Sequence, residues 1–184
     1  SLAFCFAAAD FALNLSTYLP GFKYRIIFGN MNPQNGLLWR AGMVKVFVSY
    51  SHDSEEHKGN VRRLSDQLRR HRVDCVIDQY IESTPPRNWA KWMEDEIDQA
   101  AFTLVVCTEN YYQSYRGKAP QGKRKGSTWE GAIIRQELYD SHDDTSQFIP
   151  IFMGEVNKDH IPNPLRGRNY YLPLTKAGYL SLYR

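Results

Sequence analysis

The sequence contains no apolar run of 18 residues, so nothing in it predicts a helix that spans a membrane. Cysteine is also scarce, because Cys5, Cys75 and Cys107 stand far apart and the last two fall in apolar, strand-like runs. An odd and scattered set of cysteines argues against a disulfide framework or a zinc site. We therefore expect a cytoplasmic protein in a reducing compartment, with no bound metal.

Positive and negative charges nearly balance, with 23 Lys and Arg against 20 Asp and Glu. The formal net charge is +3 over 184 residues, whereas a domain that binds nucleic acid usually carries a larger and more clustered excess of Lys and Arg. Nucleic acid is therefore not an expected partner. Apolar residues make up 42% of the chain and charged residues 23%, a balance that is typical of one ordinary globular domain.

Common catalytic and nucleotide-binding motifs are missing. The sequence has no G-x-G-x-x-G, no P-loop, no nucleophile elbow and no H-E-x-x-H, and its five histidines are widely scattered. His52 beside Asp53 is interpreted as a surface residue rather than a metal ligand. There is also no internal repeat.

The first 42 residues differ in composition from the rest. They begin with an apolar, nearly uncharged stretch that lacks the basic region of a signal peptide, and they continue with turn-forming Gly, Asn and Pro. Since Met43 directly precedes the first strand-like run, we expect residues 1–42 to be an extension and residues 43–184 the domain. Alternatively, the extension is a small accessory element that packs on the domain.

Two periodicities alternate from Met43 onward. Strand-like runs occupy residues 44–49, 73–77, 102–107 and 148–152, with a possible fifth at 170–172. Between them, helical spacing of apolar residues occurs at 56–72, from Trp89 to Ile97, and at 128–140. This alternation predicts βαβ crossovers, that is, a parallel sheet with helices on both faces.

The stretch KVFVSYSHDS, residues 45–54, ends the first strand in small polar residues. In an open parallel sheet, ligands and partners bind beyond the carboxyl ends of the strands. The stretch therefore either forms a binding loop or is a polar turn in which Asp53 or Ser54 caps the next helix.

Several separated blocks of sequence carry a family resemblance. They are FVSYSHDSEEHK, VIDQYIES with NWAKWMEDEIDQA, FTLVVCTENYY, and STWEGAIIRQELYD with FIPIFM. Together they resemble the SEFIR family, a relative of Toll/interleukin-1 receptor (TIR) domains, and their short spacings look like those of bacterial members. The resemblance implies a flavodoxin-like (TIR-like) sheet of five parallel strands, homotypic association in signalling or innate immunity, and, for some TIR relatives, cleavage of NAD.

The resemblance also implies where an NAD-cleaving site would lie. TIR enzymes use a glutamate on the helix after the third strand, and this chain offers Glu130 and Glu137, which share a helical stripe with Ile133, Ile134 and Leu138. Glu130 has a second interpretation, because Ser127-Thr128-Trp129-Glu130 has the form of a capping box. We expect Glu137 to reach the strand-end loop. The NAD cleft would be lined by Ser49, Tyr50, Ser51 and Trp89, with NAD as a substrate rather than a required cofactor.

A self-association surface is the other candidate site. Its expected members are Trp92, Glu94 and Asp95 on the second helix and Lys123, Arg124 and Lys125 in a basic loop. Opposite charges on two faces of one domain favour head-to-tail contact between copies. Trp89 and Trp92 also have the spacing of core residues. Homotypic association in signalling is thus the favoured function, and assembly-activated NAD cleavage is the alternative.

Overall fold

The computed structural model describes residues 43–118, 125–140 and 145–184, with the backbone alone for residues 125–132. The N-terminal extension, residues 1–42, lies outside the described residues. Four parallel strands form one sheet: β1 (Lys45–Ser49), β2 (Asp74–Val76), β3 (Phe102–Val106) and β4 (Phe148–Ile151). Their order is β2-β1-β3-β4, as expected for a flavodoxin-like α/β fold.

The expected fifth strand is reduced to a single bridge. Tyr171 pairs in parallel with Ile151 at the free edge of β4, and it does so through backbone bonds from Tyr171 N to Pro150 O and from Phe152 N to Tyr171 O. Pro173 follows after one residue and supplies no N–H, so the ladder does not extend. In the described residues the sheet therefore has four strands and not five.

Within the described residues, five helices connect and cover the strands: α1 (Glu55–Arg70), α2 (Trp89–Gln99), α3 (Glu109–Tyr115), α4 (Lys125–Asp140) and α5 (Lys176–Tyr183). Short 3-10 turns lie at Asp78–Tyr80, Lys158–His160 and Asn163–Leu165. Ser54 caps α1 by accepting a hydrogen bond from the backbone N–H of His57, which confirms the capping interpretation of the strand-end loop for this residue.

Two helix predictions need correction. The sequence pattern did not predict α3, although Thr108 caps it and Tyr111 and Tyr115 are buried. The helix predicted at 128–140 begins at Lys125, so Ser127 lies within the helix and is not its cap. The capping-box interpretation of Glu130 therefore does not match the observed helix start.

The core has two layers, one on each face of the sheet. Alternate residues of each strand point to opposite faces. Phe47 and Val105 pack with α2, α3 and α4, whereas Val48 and Leu104 pack with α1 and α5. Helices α1 and α2 therefore lie on opposite faces. Ile133, Ile134 and Leu138 are buried, as the helical stripe on α4 predicts.

Cys75 and Cys107 are free, buried thiols. Burial raises the pKa of Cys75 to about 11 and that of Cys107 to about 12, because the charged thiolate is poorly solvated in an apolar core. Both cysteines therefore act as small core residues.

Candidate functional site

Three consecutive residues at the carboxyl end of β1 are buried. Ser49, Tyr50 and Ser51 are each at most 3% exposed. The Ser49 hydroxyl shares a hydrogen bond of 2.8 Å with the Tyr111 hydroxyl, and the Ser51 hydroxyl shares one of 3.0 Å with that of Thr108. These bonds connect the carboxyl end of β1 to the segment that follows β3.

Asp78 is the centre of a second set of bonds at this edge. The Tyr50 hydroxyl donates to its Oδ1 at 2.6 Å, and His52 Nε2 lies 2.7 Å from its Oδ2. Gln79 Nε2 donates to the Tyr50 hydroxyl at 2.8 Å and to the Lys58 carbonyl at 3.0 Å. The loop after β1 is thereby fixed to the turn after β2 and to the start of α1.

The pKa of Asp78 reflects these contacts. Burial alone would raise the pKa of this carboxyl, but the hydrogen bonds from His52 and Tyr50 outweigh it, and the pKa is lowered. A carboxylate that accepts several hydrogen bonds is favoured in its ionised form. Asp78 is therefore a charged and partly buried anchor at neutral pH.

A narrow cleft opens next to this network. It is lined by residues of β1, the turn after β2 and α2, namely Phe47, Val48, Ser49, Tyr50, Asp78, Trp89, Trp92 and Met93. Its volume is about 20 Å³, which holds about one water molecule, whereas ligand pockets measure about 300–1,000 Å³. Of the four residues predicted to line an NAD cleft, Ser49, Tyr50 and Trp89 line this space and Ser51 does not. The space among the described residues is small for a dinucleotide, and the NAD cleft stays a prediction.

Trp92 packs partly into the core. It is half-buried, and its ring meets Phe47 edge to face with the centroids 5.8 Å apart. Trp89 packs in the same way against Trp92 at 5.5 Å. The expectation of an interface role therefore applies only to the exposed part of the Trp92 ring.

Glu137 does not lie at the strand-end loop. Helix α4 runs from the carboxyl edge of the sheet to its amino edge, because it leads into the start of β4, and Glu137 stands 12 residues after Lys125, or about 18 Å along the axis. Asp98 and Glu94 of α2 act on it electrostatically. This placement does not favour contact between Glu137 and the strand-end loop, and the catalytic role of Glu137 stays a prediction.

The surroundings of Glu137 are acidic. Burial raises the pKa of this carboxyl, and the nearby carboxylates Asp98, Asp140 and Glu94 raise it further. On α2 itself, Asp95 pairs with Lys91 at 3.1 Å and Glu96 with Lys45 at 2.8 Å. Glu94 and Asp98 form no such pair with the described cations. Of the two predicted acidic interface residues, Asp95 is therefore paired with a cation of its own helix, and Glu94 is paired with none of the described cations.

The other predicted site residues fall outside what is described. Lys123 and Arg124 are not among the described residues, and Lys125 and Glu130 belong to α4 by their backbone only. Their proposed interface and catalytic roles stay predictions.

Asp78, Thr108 and Tyr111 belong to the site but were not singled out in the sequence. Asp78 and Thr108 each follow a strand at its carboxyl end, which is the same signal that identified Ser49. Tyr111 stands in a short helix that the sequence pattern did not predict, so only the structure brings it to Ser49.

Residues 43–118, 125–140 and 145–184 contain neither a membrane-spanning helix nor a cluster of metal ligands. Within these ranges, no helix combines the length and apolar character that crossing a membrane requires. Over the same part of the chain, no group of three or more His, Cys, Asp or Glu side chains is placed to hold a metal ion.

Comparison with known proteins places this architecture in a family. The family model for the SEFIR domain matches residues 44–180. The chain is similar to the crystal structure of a prokaryotic SEFIR domain, with a TM-score of 0.57 and 27% sequence identity over 76% of this chain and 95% of that chain. No curated protein matches it. The match spans most of the sequence, and the chain therefore belongs to the SEFIR family of TIR-like signalling domains.

Proposed function

We propose that this SEFIR domain acts in signalling by associating with further copies of itself through two oppositely charged faces. The observation that carries the proposal is the placement of arginines and of carboxylates, neither of them ion-paired with the described residues, on opposite sides of the sheet. Family membership supports it, because SEFIR domains are signalling domains.

The basic face is the exposed side of α1 and the residues that follow it, and it consists of Arg62, Arg63, Arg69, Arg70 and Arg72. At 100° per residue, the four arginines within the helix fall in an arc of about 120°, and Asp66 lies inside the same arc. All five are exposed, and none forms an ion pair with a described carboxylate. Arg62 and Arg69 lie over the Tyr80 ring, at 5.7 Å and 4.5 Å. The hydroxyl of that ring donates to the Asp66 carboxylate at 2.5 Å, so the face carries five arginines and one carboxylate and keeps a positive net charge.

The acidic face is formed by α2 and α4 and consists of Glu94, Asp98 and Glu137. Glu94 and Asp98 are exposed and Glu137 is half-buried. Burial raises the pKa of Glu137, and repulsion from Asp98, Asp140 and Glu94 raises it further. A cation from outside the chain would relieve this repulsion, and the described residues supply none by ion pairing.

The position of the two faces determines the kind of assembly. Helices α1 and α2 cover opposite faces of the sheet, so the basic and acidic faces of one copy do not contact each other. The basic face of one copy can therefore bind the acidic face of the next. Such a contact is heterologous, and it continues into a filament wherever the rotation between copies does not close.

Charge reversal of the basic face tests the proposal. Arg69→Glu with Arg70→Glu should raise the dissociation constant of self-association at least about tenfold, since each exposed charge pair contributes up to about 1 kcal/mol. Sedimentation velocity over a concentration series measures it, at low and at high salt. Lys158→Glu with Arg168→Glu changes the net charge equally at a distant edge and should leave association unchanged. Equal weakening by both variants would refute a specific basic face.

NAD cleavage remains a separate alternative that no observed contact favours. Its expected residue, Glu137, faces carboxylates, and the cleft at the strand-end loop is about 20 Å³. Nicotinamide release from NAD by the concentrated protein, compared with that by Glu137→Gln, tests it. Release that depends on Glu137 would restore the catalytic interpretation.

A further inference from the structure

A second and larger concavity lies at the sheet edge beyond β4. It has a volume of about 430 Å³ and is lined by Lys158, Ile161, Arg166, Arg168, Asn169, Tyr170, Tyr171 and Ser181. Volumes of this size are typical of sites for small molecules. The described lining contains three cations and no carboxylate.

Each of the three cations is held by a neutral group. Arg166 donates from Nε to the Ile161 carbonyl at 3.3 Å and from a terminal nitrogen to the Asp159 carbonyl at 3.2 Å. Arg168 Nε donates to the Thr145 hydroxyl at 2.9 Å. Lys158 Nζ lies 5.4 Å from the centroid of the Tyr170 ring.

This arrangement orients the charges without cancelling them. A carbonyl, a hydroxyl or an aromatic ring positions a cation but leaves its net charge in place, whereas a carboxylate would neutralise it. Asp159, the nearest acidic residue in the chain, contributes its backbone carbonyl to Arg166 and does not line the concavity. Arg168 uses only Nε in its described hydrogen bond, which leaves its two terminal nitrogens as donors.

We propose that this concavity, the edge cleft, binds a small molecule that carries a phosphate group. A phosphate offers two negative charges and several acceptor oxygens, which matches paired guanidinium groups and an ammonium better than a single carboxylate does. The edge cleft shares no residue with the strand-end network or with the two charged faces, so the proposal is independent of self-association.

Calorimetric titration with pyrophosphate, and separately with AMP, tests the edge cleft. We expect binding of at least one probe that weakens with salt. Lys158→Gln with Arg168→Gln should weaken it at least tenfold, while Arg62→Gln with Arg63→Gln, which removes the same charge from α1, should change it less than twofold. Preference for pyrophosphate would indicate an inorganic or terminal phosphate, and preference for AMP a nucleotide.

A variant that fills the edge cleft without removing any charge tests whether the phosphate binds at this place. Ser181 is exposed on α5 and lines the edge cleft, so Ser181→Trp should fill the space and weaken binding at least tenfold. Thermal melting of each variant checks that it is folded. Absence of binding by both probes at low salt, or equal weakening by the α1 variant, or unchanged binding in folded Ser181→Trp would overturn the proposal.

Discussion

Asp78 shows how single polar contacts fix the carboxyl edge of the sheet. Its two carboxylate oxygens serve different partners, Tyr50 at 2.6 Å and His52 at 2.7 Å. Because Tyr50 is 2% exposed, its hydroxyl has little access to water as a substitute partner. The loop after β1 therefore depends on this carboxylate for its conformation.

Removal of one hydroxyl tests that dependence. Tyr50→Phe should lower the free energy of unfolding by about 1–3 kcal/mol, because the Asp78 carboxylate loses a donor inside the protein. Tyr139→Phe is the matched control, since Tyr139 is 80% exposed, and it should stay within about 0.5 kcal/mol of the parent. Urea denaturation of the three proteins measures both values, and equal stabilities would contradict the role of the Tyr50–Asp78 bond.

His57 predicts a pH dependence of stability. Burial lowers its pKa below 6.5, the nearby His52 lowers it further, and Asp53 partly opposes them. The unfolded chain then binds the proton more readily than the folded one, so stability should fall as the pH decreases below about 6.5. This pH range lies above the pH at which Asp78 titrates, because the pKa of Asp78 is lowered from 3.8.

The His57 prediction is checked with one substitution. The free energy of unfolding, measured in urea from pH 7 down to pH 5, should fall for the parent and fall less for His57→Gln, which carries no titrating group. Parallel pH profiles for the two proteins would show that the pKa of His57 is not lowered by folding.

At the scale of the element, periodic segments were predictable and short ones were not. Helix α1 has a clear apolar stripe, with Val61, Leu64 and Leu68 buried as expected. Helix α3 has only seven residues, which is too short for a 3.6-residue period to stand out. The fifth strand failed for a different reason, which the sequence does contain, because Pro173 supplies no N–H to extend the pairing beyond Tyr171.

The location of the candidate site could be predicted from the sequence, but its side-chain contacts could not. Its location at the carboxyl end of β1 followed from the strand pattern, since parallel strands share an edge. The hydrogen-bond partners of Ser49 and Tyr50 could not be predicted from that pattern. Tyr111 lies 62 residues after Ser49, and Asp78 lies 28 residues after Tyr50. The position of Glu137 along the sheet could not be predicted either, because helical phase specifies which side of a helix a residue occupies, but not how far along the sheet it lies.

Helix α2 is the element whose packing can be tested most simply. Trp92→Ala should lower the free energy of unfolding by about 3 kcal/mol, at the low end of the range for buried Trp, because the ring packs on Phe47 but is only half-buried. Tyr139→Ala serves as an exposed aromatic control. A Trp92→Ala protein with normal melting and altered self-association would instead place the ring on an interface.

At the scale of the whole molecule, the two charged faces are the main feature that single residues do not reveal. The formal net charge of +3 conceals a separation in which arginines gather on α1 and carboxylates on α2 and α4. Complementary potentials of this kind orient encounters between copies and exclude like-charged contacts. The faces belong to one chain, so every copy offers both halves of the contact.

Mixing two charge-reversed proteins tests this account most directly. One carries Arg62→Glu, Arg69→Glu and Arg70→Glu, which makes the α1 face net negative, and keeps the acidic face, and the other carries Glu94→Lys with Asp98→Lys and keeps the basic face. By sedimentation velocity at low salt, each should be monomeric alone, because its two faces have the same sign, and the mixture should associate. A mixture that stays monomeric, or variants that each associate like the parent, would contradict association through these two faces.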